Sequence, residues 1–229
     1  MTVATRNKTD SQIQQDVIRE LSWDTRVTET DVGIEVDDHV VTLTGTVPSY
    51  IKKIAAEEAA HRVAGVLDVA NDIQVIPTGQ KLTDTDIAKR VRSTLDWELF
   101  LPEDAVTSTV QNGWITLKGQ VDSYVNRYDA VKAIRKIRGV RGVNNEIRVI
   151  PPETPSESQV REEVEGALDR QAMREATRLQ VHVKDGAVVL EGKVRSWPER
   201  RAVIEAARYT HGVRSVDETS LKVDPFLFI

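Results

Sequence analysis

Apolar residues recur along this chain at two periods, in the same order three times. Ile13, Val17 and Leu21 stand four residues apart, as do Ile87, Val91 and Leu95, and again Val160, Val164 and Leu168. That step predicts one apolar helical face in each stretch. Ser11, Thr83 and Ser158 lie near the expected N-caps. The period then falls to two. Val32, Ile34 and Val36 lead to Val41, Leu43, Gly45 and Val47, and Leu179, Val181 and Val183 lead to Val188, Leu190, Gly192 and Val194. Alternation of this kind predicts paired strands with one buried face. The joints are Asp37-Asp38-His39, Gln111-Asn112-Gly113 and Lys184-Asp185-Gly186. Asn-Gly and Asp-Gly are hairpin pairs because the turn needs positive φ at both central residues. His39 replaces the glycine in the first stretch and predicts a looser turn there. A second helix is expected after Ser49, Ser123 and Ser196, ending at Gly65, Gly139 and Gly212 in the C′ position. Ser196 and Glu199 have capping-box spacing. A third strand closes each stretch at 69–76, 143–150 and 216–223, with the alternation slipping by one residue near Leu221.

The order helix, strand, strand, helix, strand therefore occurs three times. Gly45, Gly119 and Gly192 stand 74 and 73 residues apart, and Tyr50, Tyr124 and Trp197 keep the same steps. That period exceeds the roughly 20–50 residues of stacked solenoid repeats and matches a small domain. The fold class is α+β: three tandem αββαβ modules, each a three-stranded mixed sheet with two helices on one face. The boundaries are an N-terminal tail at 1–9, modules at 10–77, 78–151 and 152–224, and a hydrophobic tail at 225–229. The strand glycines lie in phase with the buried face, and the second helix is expected to cross the sheet there. The linker at 78–81 is expected to bend, and the proline-rich one at 151–155 to be extended.

Charge separates the copies. Residues 10–77 carry net −8, residues 78–151 net +3 and residues 152–229 net −2. An acidic chain is a poor match for nucleic acid, where phosphate contacts dominate affinity. The exception is the second helix of the middle module, with Arg127, Lys132, Arg135, Lys136 and Arg138. Lys132 stands where the other copies have Glu58 and Glu205. A basic helix attracts anionic lipid headgroups. Docking against the acidic first module, self-association and a solvated face are the alternatives. Phe226 and Phe228 in the tail are candidates for contact with a partner or for folding back on the third module. Trp23 and Trp97 are expected to cap the core, and Trp114 to be packed. Asp37 and Asp38 offer a cation too few ligands.

Catalysis finds little to work with. The chain of 229 residues has no cysteine, so thiolate chemistry is excluded. His39, His61, His182 and His211 fall at four different module positions. No phosphate loop, dinucleotide motif or zinc spacing is present. A non-enzymatic protein without cofactor or metal is expected. No apolar run approaches the ~18 residues of a membrane span. The N-terminus has no apolar signal segment, so a cytoplasmic location is expected, or a periplasmic one if a signal has been removed.

The Leu-x-Gly of the second strand, the Ser-aromatic helix start and the Gly-Val helix end followed by Val69-Ala70-Asn71 or Val143-Asn144-Asn145 resemble the BON domain. The resemblance covers about residues 10–224. BON domains occur in bacterial osmotic-shock proteins, outer-membrane-associated lipoproteins, channels and secretins. The resemblance implies an αββαβ fold, no catalysis, a link to osmotic or envelope stress, and binding of phospholipid or envelope proteins. A potassium-binding relative makes a cytoplasmic scaffold or cation sensor the alternative. The third copy departs from the motif with Val216-Asp217-Glu218, and carries Arg170 where the others have tryptophan.

Overall fold

A computed structural model describes residues 8–27, 32–79, 82–98, 105–152, 155–170, 179–225 and 227. The first module runs α1 (Asp10–Trp23), β1 (Val32–Asp37), β2 (Val40–Val47), α2 (Tyr50–Arg62), β3 (Asp68–Asn71) and β4 (Gln74–Val75). The second runs α3 (Asp84–Glu98), β5 (Val106–Gln111), β6 (Trp114–Val121), α4 (Tyr124–Ile134) and β7 (Gly142–Val149). The third runs α5 (Glu157–Arg170), β8 (Gln180–Lys184), β9 (Ala187–Val194), α6 (Trp197–Arg208), β10 (Ser215–Asp217) and β11 (Leu221–Val223). By contact the chain falls into two compact units. One is the first module with Lys193–Arg201 and the segment from Lys222; the other is the second module with the rest of the third.

The second strand of each module is central. β1 pairs with β2 antiparallel, and β3 pairs with β2 parallel on its other side. β5, β6 and β7 repeat this order, with β6 and β7 parallel over eight residue pairs. The four-residue apolar steps are buried as predicted: Ile13, Val17 and Leu21 join Val41, Leu43, Val47 and the α2 alanines 55, 56, 59 and 60 in one core. Both helices of the first module therefore lie on one face of its sheet. Burying a leucine side chain such as Leu43 contributes about 1.5–3 kcal/mol.

Two of the three first-helix caps lie two residues before the serines named from the sequence, and the third is Thr83 as expected. Thr9, not Ser11, caps α1 in a capping box with Gln12. Ser156, not Ser158, does so for α5 with Gln159. Thr83 caps α3, exchanging bonds with Asp86. At the second helices, Ser123 accepts from the Asn126 N–H and Ser196 from the Glu199 N–H. Ser49 makes no side-chain cap bond. Glu199 reaches back to the Arg195 N–H rather than that of Ser196. The glycines placed at the helix ends lie further on. α2 stops at Arg62, and Gly65 takes φ 101° in the following turn.

One contact joins the first helix to the hairpin in every module. The Asp84 carboxylate accepts from the backbone N–H groups of Asn112 at 2.7 Å and Gly113 at 2.9 Å. Asp10 does the same for Asp38 and His39, at 3.1 and 3.0 Å. Glu157 accepts from Asp185 at 3.0 Å. These N–H groups project from two-residue turns with both residues at positive φ, including Asp38 at 44° and His39 at 66°. His39 therefore does not loosen its turn. The carboxylate holds it in the left-handed geometry that a non-glycine residue disfavours by roughly 1–2 kcal/mol. Replacing Asp84 by alanine leaves two turn N–H groups without their acceptor. The expected loss is about 1.5–3 kcal/mol, read as faster hydrogen exchange in β5 and β6 with β8 and β9 unchanged.

Gly119 serves a different neighbour from the one expected. The second helix does not come down on Gly45, which is exposed. A Cβ on Gly119 would instead overlap the carbonyl oxygen of Ala105, just before β5, to which the Gln120 N–H donates at 3.0 Å. The third strand also varies. It is unbroken in β7, but interrupted between β3 and β4 and between β10 and β11. Asn71 and Asn145 accept from the N–H two residues on, at 3.3 and 3.1 Å. In the third module Asp217 takes over that role for Thr219, at 2.9 Å. The extra residue forms a turn closed by Leu221 N–H donating to the Glu218 carbonyl, and Leu221 regains the core position. The predicted slip is this insertion.

At the helix end of the first module, Asp24 lies between two arginines. Its carboxylate accepts from Arg26 at 2.8 and 3.0 Å and from Arg62 at 2.8 Å, and its side chain is 8% exposed. Arg26 extends the chain of charges to Glu58 at 2.9 Å, and Arg62 to Glu20 at 2.7 Å. The Arg26 side chain, and then Arg62, hold the Asp24 carboxyl far below the usual carboxylate range.

Candidate functional site on the second helices

The basic run of the middle module is only partly helical. α4 ends at Ile134, and Arg135 is its C-cap with φ −63° and ψ −14°. The ladder then tightens, Lys136 N–H donating to Ala133 and Ile137 N–H to Ile134. Lys136 and Arg138 therefore stand on the turn after the helix. Lys132, Lys136 and Arg138 are exposed, whereas Arg127 and Arg135 are half-buried. The Nε atoms of Arg127 and Arg135 are closed off from solvent without a hydrogen-bond partner. The five cations do not form one open face.

Arg127 is occupied by an aromatic ring. Its guanidinium lies 5.3 Å from the centroid of Tyr124, and the guanidinium of Arg208, from α6, lies 5.3 Å from the same centroid. Arg208 is also paired with Glu218 at 3.2 Å. Lys132 Nζ lies 6.0 Å from the ring of Tyr128. Cation–ring contacts of this kind contribute about 0.5–2 kcal/mol, the more so when desolvated. Beyond them, Tyr209 has its hydroxyl pKa raised, first by burial and then by Glu205, Tyr128 and Asp129.

The other end of α6 carries the same device. Trp197 is its first residue, as Tyr124 is of α4. The imidazole of His61 stacks on Trp197 with centroids 4.0 Å apart and planes 21° off parallel. Arg200 lies 5.1 Å from the indole centroid, three residues on, as Arg127 is from Tyr124. The indole N–H donates to the Leu67 carbonyl at 3.2 Å. His61 follows Tyr50 by eleven residues, and Arg208 follows Trp197 by the same number. One module position thus supplies the aromatic and another the residue stacked on it, in two separate joints. Two of the repeated aromatics, Tyr124 and Trp197, are joint residues, a role their spacing leaves unassigned.

The remaining candidates are scattered. Trp23 is 82% exposed and caps no core. Its indole projects from the end of α1, where the last buried residue is Leu21. Trp114 is 58% exposed, with its ring against the Cα of Gly142 instead of in the interior. The side chain of Trp97 lies outside the described residues, as do Phe226 and Phe228. Among the described residues no group of three or more His, Asp or Glu is placed to hold a metal ion. No described helix is long and apolar enough to cross a membrane.

The BON domain family model matches three times, over residues 9–77, 83–151 and 156–225. No curated protein matches the chain. Among solved structures, the chain is similar to the C-terminal domain of CdsD, the structural protein of the type III secretion system of Chlamydia trachomatis, at 15% identity and a TM-score of 0.26. That match covers 95% of this chain and 100% of the other. A second CdsD structure matches at 15% identity and a TM-score of 0.24, covering 89% of this chain and 88% of the other.

Proposed function

Because this chain belongs to the BON family, with three of its modules in tandem, we propose that it is a non-enzymatic binding protein of osmotic or envelope stress. It docks on anionic phospholipid through the basic end of the middle module. The observation that supports this reading is the exposure of Lys132, Lys136 and Arg138 together at the end of α4. The first and third modules carry Glu58 and Glu205 at the Lys132 position. Each basic residue near an anionic surface contributes about 1 kcal/mol, screened within a Debye length of about 8–10 Å. Three such residues give a weak, salt-sensitive attachment. Arg127 and Arg135 are not part of this surface, since their Nε atoms are buried.

A second reading, a scaffold that works by association of modules, is favoured by the two stacked joints on α6. Co-sedimentation separates the two. Phosphatidylglycerol vesicles at low salt are expected to carry the protein down, and phosphatidylcholine vesicles are not. The double change Lys132→Glu and Lys136→Glu is expected to weaken the attachment at least about tenfold with the circular dichroism unchanged. Absence of low-salt binding, or binding indifferent to the reversal, removes the lipid reading and leaves the scaffold.

A further inference from the structure

We propose that the joint in which His61 of the first module stacks on Trp197 of the third is an acid-operated latch. It is closed while the imidazole is neutral and released when the ring takes a proton.

The geometry argues for a neutral ring. His61 lies flat against the indole at 4.0 Å, and its Nε2 is closed off from solvent with no hydrogen-bond partner. An imidazolium carries an N–H on both nitrogens, so protonation would bury a donor with no acceptor. The charges around the ring are mixed. Glu58 on the same helix and Asp68 at the start of β3 favour the cation, while Arg200 and Arg201 on α6 oppose it. Burial outweighs both pairs and takes the His61 pKa down to about 4. The latch is therefore insensitive above the ordinary imidazole value of about 6.5. As pH falls below that value the open form binds the proton more tightly than the closed form, and the closed form loses ground until His61 itself titrates near pH 4.

The second joint supplies an internal contrast. Arg208 holds the module position of His61 and lies over Tyr124. A guanidinium is charged at every accessible pH, and Glu218 balances it at 3.2 Å. The same place in the repeat is thus filled once by a permanent cation ion-paired to a carboxylate and once by a titratable ring whose nearby acids, Glu58 and Asp68, are offset by Arg200 and Arg201. Acid acts on the joint between the first and third modules and leaves the other closed.

Distance measurement between paired spin labels tests this on the whole chain. The chain has no cysteine of its own, so Glu35→Cys on β1 and Lys222→Cys on β11, both exposed, take one label each. A single distance is expected from pH 8 to about 6.5. Below that a second, longer population grows, the open-to-closed ratio rising up to about a hundredfold by pH 4. His61→Phe keeps a ring without a proton to gain, and His61→Gln keeps a neutral polar side chain. Both are expected to hold the single distance over the same range. A second population that grows equally in both variants, by opening or by unfolding, overturns the proposal. So does a single distance in the parent protein at pH 4.

Discussion

Replacing Gly119 with alanine is expected to unfold the middle module or leave it barely stable. Two effects act together. Gly119 has φ 144°, a conformation that L side chains rarely adopt. The added methyl would also overlap the carbonyl oxygen of Ala105 and come within 2.9 Å of the Cα of Val106. These are backbone atoms at the paired end of β5 and β6, so relief requires unpairing Val106 from Gly119. The combined cost is about 3–5 kcal/mol, against roughly 3–10 kcal/mol for a whole domain of this size. Hydrogen exchange should show β5, β6 and β7 losing protection while β1 and β2 keep theirs. Gly166→Ala is the contrasting case. Gly166 lies inside α5, where a methyl meets only the flexible end of Arg170 at 3.3 Å. There alanine should stabilise by about 0.5–1 kcal/mol through helix propensity. Equal effects at the two glycines would mean that the close approach at Ala105 is not what requires glycine.

Removing the Asp24 carboxylate is expected to cost the first module about 2–3 kcal/mol, because two arginines lose a nearly buried acceptor together. The outer pairs should matter less. Arg26 is 49% exposed where it meets Glu58, and exposed ion pairs contribute about 0–1 kcal/mol. The pH dependence has a definite sign. The carboxyl is held below its ordinary range in the folded protein, so its contribution is complete above the unfolded-state value of about 4 and is lost as pH falls below it. Asp24→Asn should therefore lower the urea midpoint of the first module at pH 7 and flatten its decline towards pH 3. A decline of unchanged slope in the variant would place the acid sensitivity elsewhere.

The repeat period carried most of the fold into view. A step of 74 and 73 residues aligns helices, strands and turns without reference to any contact, and the apolar faces then assign one buried side to each element. What stayed hidden depends on partners. Gly119 was in phase with the buried face, but a sequence does not tell a gap left for a helix from a positive φ beside a neighbouring carbonyl. Thr9 and Ser156 stand four residues before Ile13 and Val160, as Thr83 does before Ile87, but Ser11 and Ser158 offer competing cap residues closer to the apolar face. The steps back and forward from Thr83 lead to Thr9 and Ser156. Arg127 and Arg135 are visible as charges, yet their burial is a matter of packing: Arg127 lies against the Tyr124 ring, and the Nε atoms of both are closed off from solvent. Trp197 was marked by its repeat position, but the carbonyl it bonds, Leu67, is 130 residues away in the chain. His61 has no histidine at its counterpart positions, and its role shows only in three dimensions, where it and Arg208 at the same repeat position each lie over an aromatic ring.

The carboxylate that ties each first helix to its own hairpin bears on how the chain is made. Asp10 binds the turn at Asp38 and His39, and Asp84 the turn at Asn112 and Gly113, spans of 28 and 29 residues. The tie always closes inside one copy. As the polypeptide leaves the ribosome, each copy can complete its helix–hairpin tie before the hairpin of the next copy has emerged. Exchange of equivalent strands between neighbouring copies is the characteristic misassembly of repeated domains. A short-range tie completed first leaves such exchange few open hairpins to work with.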